Sequence, residues 1–343
     1  MQKEYKKSAI YLPNHCNMQT SILVKKTIEQ AKKIAIFGHM SPDGDCIWAM
    51  LWLGRLLEKQ KKTVKYFVPN TPSKIYRFIK NIKRLKSNFD YKHYDLLIFV
   101  DFTGLDRMGI ISQAKPDYFK KKPIIVFDHH AGNTLKQGII IKDIHSISAC
   151  EILFECTHKR WPKLYDKDIA TYFYLGITSD SGNFLFEEDH IRTLTNAVKL
   201  LEQGADKDLI INNLFRKKSL GSVKFLNLLL SRIKQKEDIL YTYYEETELK
   251  TYDIEHEEAD YALHIIQNIE GPKIVLLARK TEEIIRISLR AQKTGNIDCN
   301  TIAKMFDGGG HRLAAAFRVP AKKEYEAQIS DIVQAIHNNI KTK

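Results

Sequence analysis

The sequence contains few cysteines and no run of apolar residues long enough to cross a membrane. Its five cysteines, in a chain of 343 residues, are widely spaced and form no CxxC pair. This spacing argues against a disulfide-rich scaffold and against a structural zinc site, and it favours a reducing cytoplasm. The charged N-terminus is not followed by the apolar core of a signal peptide. Internal repeats and low-complexity segments are also absent from the sequence.

Positive charge exceeds negative charge in this chain. Lysine and arginine number 54, against 41 aspartate and glutamate residues, which gives a formal net charge of +13. A surplus of this size favours anionic partners, including phosphates and nucleic acid. A solvated surface is the simpler explanation for each scattered lysine pair, so the charge alone does not identify a partner.

The length of the chain suits two domains. Continuous apolar runs at 34–37, 95–100 and 123–127 predict strands that are buried on both faces, and hence a parallel sheet. Helical stretches lie between and after these runs. The predicted fold class is therefore α/β, with a doubly wound, mainly parallel sheet in the N-terminal domain and a smaller α/β C-terminal domain. The predicted boundaries are an extension at 1–18, a first domain at 19–204, a helical linker at 205–236 and a second domain at 237–343.

A short turn after the first apolar run contains one histidine and two aspartates. His39, Asp43 and Asp45 lie between the predicted strand at 34–37 and a predicted helix at 46–57. In an open α/β sheet, ligands bind outside the carboxyl ends of the strands. Imidazole and carboxylate together suit a divalent metal such as Mn, Fe or Zn. The alternative is a surface turn in which one of the aspartates caps the helix.

The same residue types follow the other predicted strands. Asp101 follows the second apolar run, Asp128, His129 and His130 follow the third, and Asp180 ends an apolar helix. Carboxylates crowded at one edge of a sheet repel each other unless a charge compensates them. Two divalent cations would supply that charge. The alternative, in which the aspartates cap turns and His130 is a core histidine, is less favoured because chance rarely places such residues after three strands.

These blocks resemble the signature of the DHH phosphoesterases. The residues that carry the resemblance are His39, Asp43, Asp45, Asp101, Asp128, His129, His130 and Asp180. Later in the chain, residues 287–290 (ISLR), 296–298 (NID) and 308–311 (GGGH) resemble the DHH-associated C-terminal domain. The two motif sets occur in the family's order and cover nearly the whole chain beyond the extension. The chain looks most like the stand-alone nanoRNase and pAp phosphatase branch of the family.

The resemblance implies a site with two divalent metal ions, Mn²⁺ above all. The first ion would be held by His39, Asp43 and Asp101. The second would be held by Asp45, Asp101, His129 and Asp180. Asp101 would therefore bridge the two ions. Asp128 would orient a histidine, and His130 would reach the substrate phosphate, which makes these two the expected catalytic residues.

The substrate-binding residues that the resemblance implies lie in the second domain. They are Arg290, Gly308, Gly309, Gly310, His311 and Arg312. A run of glycines lets backbone N–H groups approach an anion closely, although a plain loop is the alternative. For one substrate to touch both motif sets, the two domains have to face each other across a cleft.

The chain departs from the family pattern at a few positions. Asp307 stands where the family often has a fourth glycine, Ala316 stands in place of a glycine, Ser181 replaces a threonine, and Ala291 replaces a serine. None of these changes removes a metal ligand. Asp307 lies beside the expected phosphate-binding loop, so it bears on substrate preference.

The activity implied by the resemblance is Mn-dependent hydrolysis. The substrates would be very short RNA, cleaved to mononucleotides, and 3′-phosphoadenosine 5′-phosphate (pAp), converted to AMP by a metal-activated water. The first alternative is a phosphodiesterase for linear or cyclic dinucleotides. A single-strand exonuclease and a non-catalytic nucleotide- or RNA-binding module are less favoured. Short RNA and nucleotides are the expected partners, with no membrane; a homodimer is compatible with the sequence, and the expected location is cytoplasmic.

Overall fold

The computed structural model describes residues 9–13, 18–130, 132–185, 190–292, 295–310, 312–322 and 324–341. The chain divides into two compact units between Arg216 and Lys217. The segment at 205–236, predicted as a linker, is therefore shared between the two units. Its first part adds a short helix to the first unit, and the helix Leu220–Ser231 packs in the core of the second.

The first unit is built on a seven-stranded parallel sheet. Its strands are β1 (Ala9–Pro13), β2 (Lys33–Phe37), β3 (Thr63–Phe67), β4 (Leu85–Lys86), β5 (Leu96–Val100), β6 (Ile124–Asp128) and β7 (Gly138–Lys142). Their order in the sheet is β1-β7-β6-β5-β2-β3-β4, and each neighbouring pair is parallel. From β2 the chain runs outward to β4 and then restarts at β5, on the other side of β2. The carboxyl ends of β2 and β5 thus form a topological switch point, where ligands bind in such sheets.

Helices cover both faces of this sheet. They are α1 (Met18–Gln30), α2 (Gly44–Lys59), α3 (Ile110–Ala114), α4 (Pro116–Lys120), α5 (Ala149–Thr157), α6 (Lys167–Asp180), α7 (His190–Glu202) and α8 (Lys207–Ile210), followed by a π-helical turn, Ile211–Arg216. One face packs Ile36 and Ile98 against Trp48 and Trp52 of α2 and against α5 and α6. The other face holds an aromatic cluster around Phe99. These observations confirm a doubly wound α/β fold.

Helix α2 is apolar on almost all sides, as expected of a helix enclosed by its neighbours. Asp43 is its N-cap and accepts a hydrogen bond from the backbone N–H of Cys46 at 3.1 Å. Small residues allow a close approach to α6, because a Cβ on Gly44 would come within 2.1 Å of Ser179 Oγ. This approach fixes the first turn of α2 beside the last turn of α6.

The second unit contains a six-stranded mixed sheet. Its strands are β8 (Lys234–Lys236), β9 (Ile239–Glu245), β10 (Ile274–Lys280), β11 (Ile284–Ala291), β12 (Gly309–Gly310) and β13 (Ala314–Pro320), in the order β12-β13-β11-β10-β9-β8. Only β9 and β10 are parallel among these pairs. The helices are α9 (Leu220–Ser231), α10 (Glu246–Thr251), α11 (His256–Ile266), α12 (Cys299–Lys304) and α13 (Tyr325–Lys341). Each face of the sheet has its own apolar core.

Some elements differ from the sequence prediction. Residues 9–13, placed in the N-terminal extension, form β1 and pair with β7 along their whole length. Lys74–Tyr76 forms a single 3₁₀ turn. Cys46, Cys150 and Cys299 are buried free thiols.

Two further observations concern a disulfide and, for the described residues, the absence of a membrane-spanning helix. Cys156 takes part in a disulfide, which the cysteine spacing did not predict. Within the ranges that the structure describes, no helix is both long enough and apolar enough to cross a membrane.

Candidate active site

Adjacent parallel strands bring the predicted site residues to one edge of the first unit. His39 follows β2, Asp101 follows β5, and Asp128 is the last residue of β6, the three strands being neighbours in the sheet. Asp45 lies in the first turn of α2 and Asp180 is the last residue of α6. Because α2 packs along α6, these two carboxylates meet at the same edge.

One group of side chains forms around His39. Its Nε2 lies 2.9 Å from Asp101 Oδ2 and 3.8 Å from Asp43 Oδ2. On the other side of the ring, Nδ1 lies 2.9 Å from the carbonyl oxygen of Met40. Asp43 therefore caps α2 with one oxygen and presents its second oxygen to the site. The helix-cap and metal-ligand interpretations of this residue are compatible. Candidate ligand atoms of His39, Cys46 and Asp101 lie within 4.8 Å of one another.

A second group forms around His129. Its Nε2 lies 3.4 Å from Asp101 Oδ1 and 3.5 Å from Asp180 Oδ2. Candidate ligand atoms of Asp45, His129 and Asp180 lie within 4.8 Å of one another. The structure thus brings all six expected metal ligands together, and Asp101 has one oxygen in each group.

The N-terminus of α5 holds the Asp45 carboxylate in place. The backbone N–H groups of Ala149 and Cys150 donate to it at 2.6 and 2.9 Å. Asp45 is fully buried, so these donors and the positive end of the α5 dipole replace its hydration. This contact joins residues that are more than 100 positions apart in the chain.

Asp101 gives the most direct test of whether this site fits a cation. It is only 3% exposed, and its backbone has a positive φ of 51°, which is uncommon for a residue other than glycine. Among the residues that the structure describes, no group donates a well-aligned hydrogen bond to its Oδ1, whose nearest histidine nitrogens, His130 Nδ1 and His129 Nε2, lie 3.3 and 3.4 Å away. A buried carboxylate oxygen without a donor is costly unless a cation contacts it. Nitrogen and oxygen donors of this kind suit a divalent transition metal such as Mn²⁺.

The pKa values within the site show how strongly its charges interact. Burial alone would raise the pKa of Asp101, but the three histidines around it outweigh burial and hold that pKa well below its usual range. Burial lowers the pKa of His129, yet the surrounding carboxylates raise it to about 10. For His39, burial is similarly outweighed by Cys46 and Asp101, and its pKa is raised well above the usual value.

The remaining carboxylates show an excess of negative charge. Burial, followed by repulsion from Asp101, raises the pKa of Asp45 to about 7. Burial, followed by repulsion from Asp45, also raises the pKa of Asp180 well above its usual value. The histidines therefore do not compensate all of the acids, and a bound cation would favour the ionised form of both groups.

Asp128 contacts His130 and lies outside the two ligand groups. Its Oδ1 accepts hydrogen bonds from the backbone N–H and from Nδ1 of His130, at 3.2 and 2.9 Å. Its Oδ2 accepts a hydrogen bond from the side-chain amide of Asn133 at 3.1 Å. Asp128 is completely buried, so it fixes the orientation of the more exposed His130 ring.

The expected substrate-binding residues of the second unit lie on β11, on β12 and directly before and after β12 in the chain. Arg290 is on β11, and burial lowers its pKa. Gly309 and Gly310 form β12, which pairs with β13. Arg312 is exposed, and His311 lies outside the described residues.

Two of the three glycines have a packing role that the sequence did not predict. A Cβ on Gly308 would come within 2.4 Å of the carbonyl oxygen of Ala316. One on Gly310, which has a φ of 151°, would come within 2.5 Å of the carbonyl oxygen of Ala314. A Cβ on Gly309 would meet no atom closer than 4.0 Å, so Gly309 is the glycine with open space on its Cα side.

Sequence reasoning missed two residues beside the His39 group. The sequence pattern predicts Cys46 only as the start of a helix, although its place directly after Asp45 is a usable signal. Arg107 lies in the 3₁₀ turn Leu105–Met108 after β5, and its Nη2 is 3.4 Å from His39 Nδ1. Its backbone carbonyl also accepts a hydrogen bond from Met40 N–H at 2.8 Å. No local pattern marks Arg107, because the contact depends on two loops meeting.

Comparison with known proteins places these two units in known families. The DHH family N-terminal domain matches residues 33–177, and the DHHA1 domain matches residues 238–342. The bifunctional oligoribonuclease and PAP phosphatase NrnA of Mycoplasma genitalium is 26% identical over 315 residues, which cover 91% of this chain and 96% of that protein.

Solved structures support the same fold. An exopolyphosphatase-related protein from Bacteroides fragilis has a TM-score of 0.85 and 24% identity, with coverage of 95% of this chain and 98% of that chain. Exonuclease RecJ bound to manganese has a TM-score of 0.53 and 14% identity, with coverage of 95% of both chains. The DHH match lies within the first structural unit, and the DHHA1 match lies within the second. The chain therefore contains a DHH family N-terminal domain followed by a DHHA1 domain, and it is a hydrolase of the phosphoesterase class.

Proposed function

We propose that this protein uses two divalent metal ions, Mn²⁺ above all, to hydrolyse very short RNA to mononucleotides and pAp to AMP. The observation that carries the proposal is the position of Asp101. Its two carboxylate oxygens face different groups of ligands, and the oxygen without a hydrogen-bond donor is buried between them. A carboxylate with this geometry suits two cations held side by side.

The residues of the first unit would have the following roles. His39, Asp43 and Asp101 would hold one ion, and Asp45, Asp101, His129 and Asp180 the other. When bound, the two ions would supply positive charge to the phosphoryl oxygens and lower the pKa of a water nucleophile. The backbone donors of α5 keep Asp45 fixed, so the ligand group is organised before substrate arrives.

The Asp128–His130 pair would act on the substrate phosphate. Because Asp128 Oδ1 accepts from His130 Nδ1, a substrate oxygen would contact this imidazole through Nε2. Loss of the Asp128 carboxylate would leave the ring without that restraint. The expected effect is therefore on the orientation of His130 and on turnover, with metal binding retained.

Support for the substrate class comes from the second unit and from the M. genitalium relative. That relative is named an oligoribonuclease and PAP phosphatase and matches this chain along nearly its full length. Arg290, Gly309 and Arg312 would bind the part of the substrate remote from the metals, together with His311. That these residues face the metal site across a cleft stays a prediction, as do a homodimer and a cytoplasmic location.

A panel of substrates tests this proposal. The full chain is assayed with Mn²⁺ on a dinucleotide, RNAs of increasing length, pAp, cyclic dinucleotides and pyrophosphate. We expect hydrolysis of the dinucleotide and of pAp, with rates that fall as RNA length increases. A preparation carrying Asp101→Asn serves as the control for contaminating nucleases.

Other results on this panel would redirect the assignment. Equal rates on a dinucleotide and on a long single strand would replace the proposal with an exonuclease. Hydrolysis of cyclic dinucleotides alone would favour the dinucleotide phosphodiesterase. Substrate binding without hydrolysis of any member would indicate a binding module.

A pair of variants tests the substrate-binding residues. Arg312→Ala removes an exposed charge from the glycine loop, and Lys250→Ala removes an exposed charge from α10 as a matched control. We expect Arg312→Ala to slow hydrolysis of pAp and short RNA more than that of a small artificial phosphodiester, because the latter needs only the metal site. An equal effect of both variants on all substrates would remove Arg312 from the site.

A further inference from the structure

The thiol of Cys46 lies among the ligands of the His39 group. Cys46 is in the first turn of α2 and is fully buried. Its sulfur, a nitrogen of His39 and an oxygen of Asp101 all lie within 4.8 Å of one another. The space for the sulfur depends on Gly38, since a Cβ there would come within 2.4 Å of Sγ. The thiol therefore fills a fitted position beside two expected metal ligands.

The carboxylates around this position also face it. Asp43 binds the Cys46 N–H with Oδ1, which leaves Oδ2 at 3.8 Å from His39 Nε2. Asp101 is almost completely buried, and its Oδ2 lies on this side, 2.9 Å from His39 Nε2. Imidazole, two carboxylates and a thiol thus converge, which is a complete set for a four-coordinate ion.

We propose that Cys46 is a ligand of the first metal position, together with His39, Asp43 and Asp101, and that this position favours Zn²⁺, Co²⁺ or Fe²⁺ over Mn²⁺ more strongly than the second position does. The inference rests on the proposed two-metal site. As the sulfur–metal bond forms, the thiol proton is released to solvent, so no oxidant or other reactant is needed. Thiolate is a softer donor than carboxylate and selects against Mn²⁺.

The second position has a different donor set and provides an internal contrast. Asp45, Asp101, His129 and Asp180 offer only oxygen and nitrogen. The nearby Cys150 directs its sulfur to the backbone carbonyl of Asp45, at 3.7 Å. The two positions are therefore expected to differ in metal preference, with Mn²⁺ favoured at the second.

X-ray absorption of the Zn²⁺-loaded full chain measures the coordination directly. The chain is stripped with a chelator and loaded with one equivalent of Zn²⁺. We expect a Zn–S distance of about 2.3 Å beside Zn–N and Zn–O distances of about 2.0–2.2 Å. With Co²⁺ in place of Zn²⁺, we expect a thiolate-to-cobalt charge-transfer band in the near ultraviolet.

Two matched variants assign the sulfur. Cys46→Ser keeps the size of the side chain and should lose both the Zn–S distance and the cobalt band. Cys150→Ser, at another buried thiol of the same unit, should keep both signals. In competition between Zn²⁺ and Mn²⁺, Cys46→Ser should lower the preference for Zn²⁺ by about tenfold or more.

Two outcomes would overturn the inference, and both are measured on the unmodified chain, so they do not depend on folding of a variant. Zn²⁺ bound through nitrogen and oxygen alone would refute the role of Cys46 and leave the proposed metal site standing. Failure of the chain to bind any divalent ion would refute the metal site itself.

Discussion

Replacement of Gly176 by alanine is expected to disturb the second ligand group through packing alone. Gly176 lies in α6, one turn before Asp180. A Cβ at this position would come within 2.2 Å of Cys150 Sγ, 2.6 Å of Cys150 Cβ and 3.0 Å of Asp45 Oδ1. Cys150 cannot move aside easily, because its backbone N–H is bound to Asp45 at 2.9 Å. Relief of the overlap therefore requires α5 and α6 to separate.

The size of the effect follows from two opposing terms. Extra volume in a well-packed core costs about 1–3 kcal/mol. Alanine in place of glycine in a helix contributes about 1 kcal/mol in the opposite direction. Because one of the overlaps involves a Cβ atom rather than a flexible chain end, we expect a net loss of about 1–2 kcal/mol. Displacement of Asp45 should also weaken Mn²⁺ binding by about tenfold or more.

Thermal unfolding with a chelator measures the stability term, and calorimetric titration with Mn²⁺ measures the affinity. Gly132→Ala is the control, since a Cβ on Gly132 would meet nothing within 4 Å. Adding Cys150→Ala to Gly176→Ala removes the nearest atom and should restore part of both losses relative to Cys150→Ala alone. If Gly176→Ala matched the unmodified protein in stability and in Mn²⁺ affinity, the argument that close helix packing positions Asp45 would be wrong.

Three further substitutions have defined outcomes. Asp101→Asn keeps the shape of the side chain but should bind fewer metal ions, by elemental analysis, and lower turnover by about a hundredfold or more; normal turnover after chelation and return of Mn²⁺ would contradict its bridging role. Burial raises the pKa of Asp166, but hydrogen bonds from Arg55 and Lys59 outweigh burial and lower that pKa to about 2. The ionised Asp166 therefore stabilises the folded state above its unfolded pKa of about 4, and this stabilisation is lost as the pH falls through 2. Because the Asp166 side chain is 33% exposed, solvent screening reduces the effect, and Asp166→Asn should cost about 1 kcal/mol at neutral pH in denaturant titrations. This cost should shrink as the pH approaches 2 and vanish below it. A pH-independent cost would refute the ionic origin. Gly310→Ala places a Cβ 2.5 Å from a carbonyl oxygen of β13 and should destabilise the second unit by about 1–3 kcal/mol. The Mn²⁺ affinity should be unchanged; a loss of that affinity would contradict the assignment of metal binding to the first unit alone.

Local pattern determined the central part of the first unit. The apolar runs predicted β2, β5 and β6 to within about one residue. A strand that is buried on both faces consists of consecutive apolar residues, so its own sequence shows where it begins and ends. The acids and histidines at their ends followed directly from that assignment. The α/β class and the order of the two domains were also predictable, because they too follow from local runs of apolar residues and local motifs.

Tertiary contacts decided the elements that the sequence did not predict. The strand β1 exists through its pairing with β7, whose sequence lies more than 120 positions later. The alanine-rich start of β13 has the composition of a helix, yet it is extended because it pairs with β11 and β12. Edge and non-local pairings of this kind leave no periodic signal in their own segment.

The site shows the same division between sequence and structure. The sequence alone determined which side chains reach the edge of the sheet, because the position of a residue after a parallel strand fixes its place there. The tertiary structure decided that Asp101 has one oxygen in each ligand group, that the α5 backbone holds Asp45, and that Cys46 lies beside His39. Each of these contacts joins elements that only the packing of α2, α5 and α6 on the sheet brings within bonding distance, and such distances are set by packed side-chain volumes rather than by residue order.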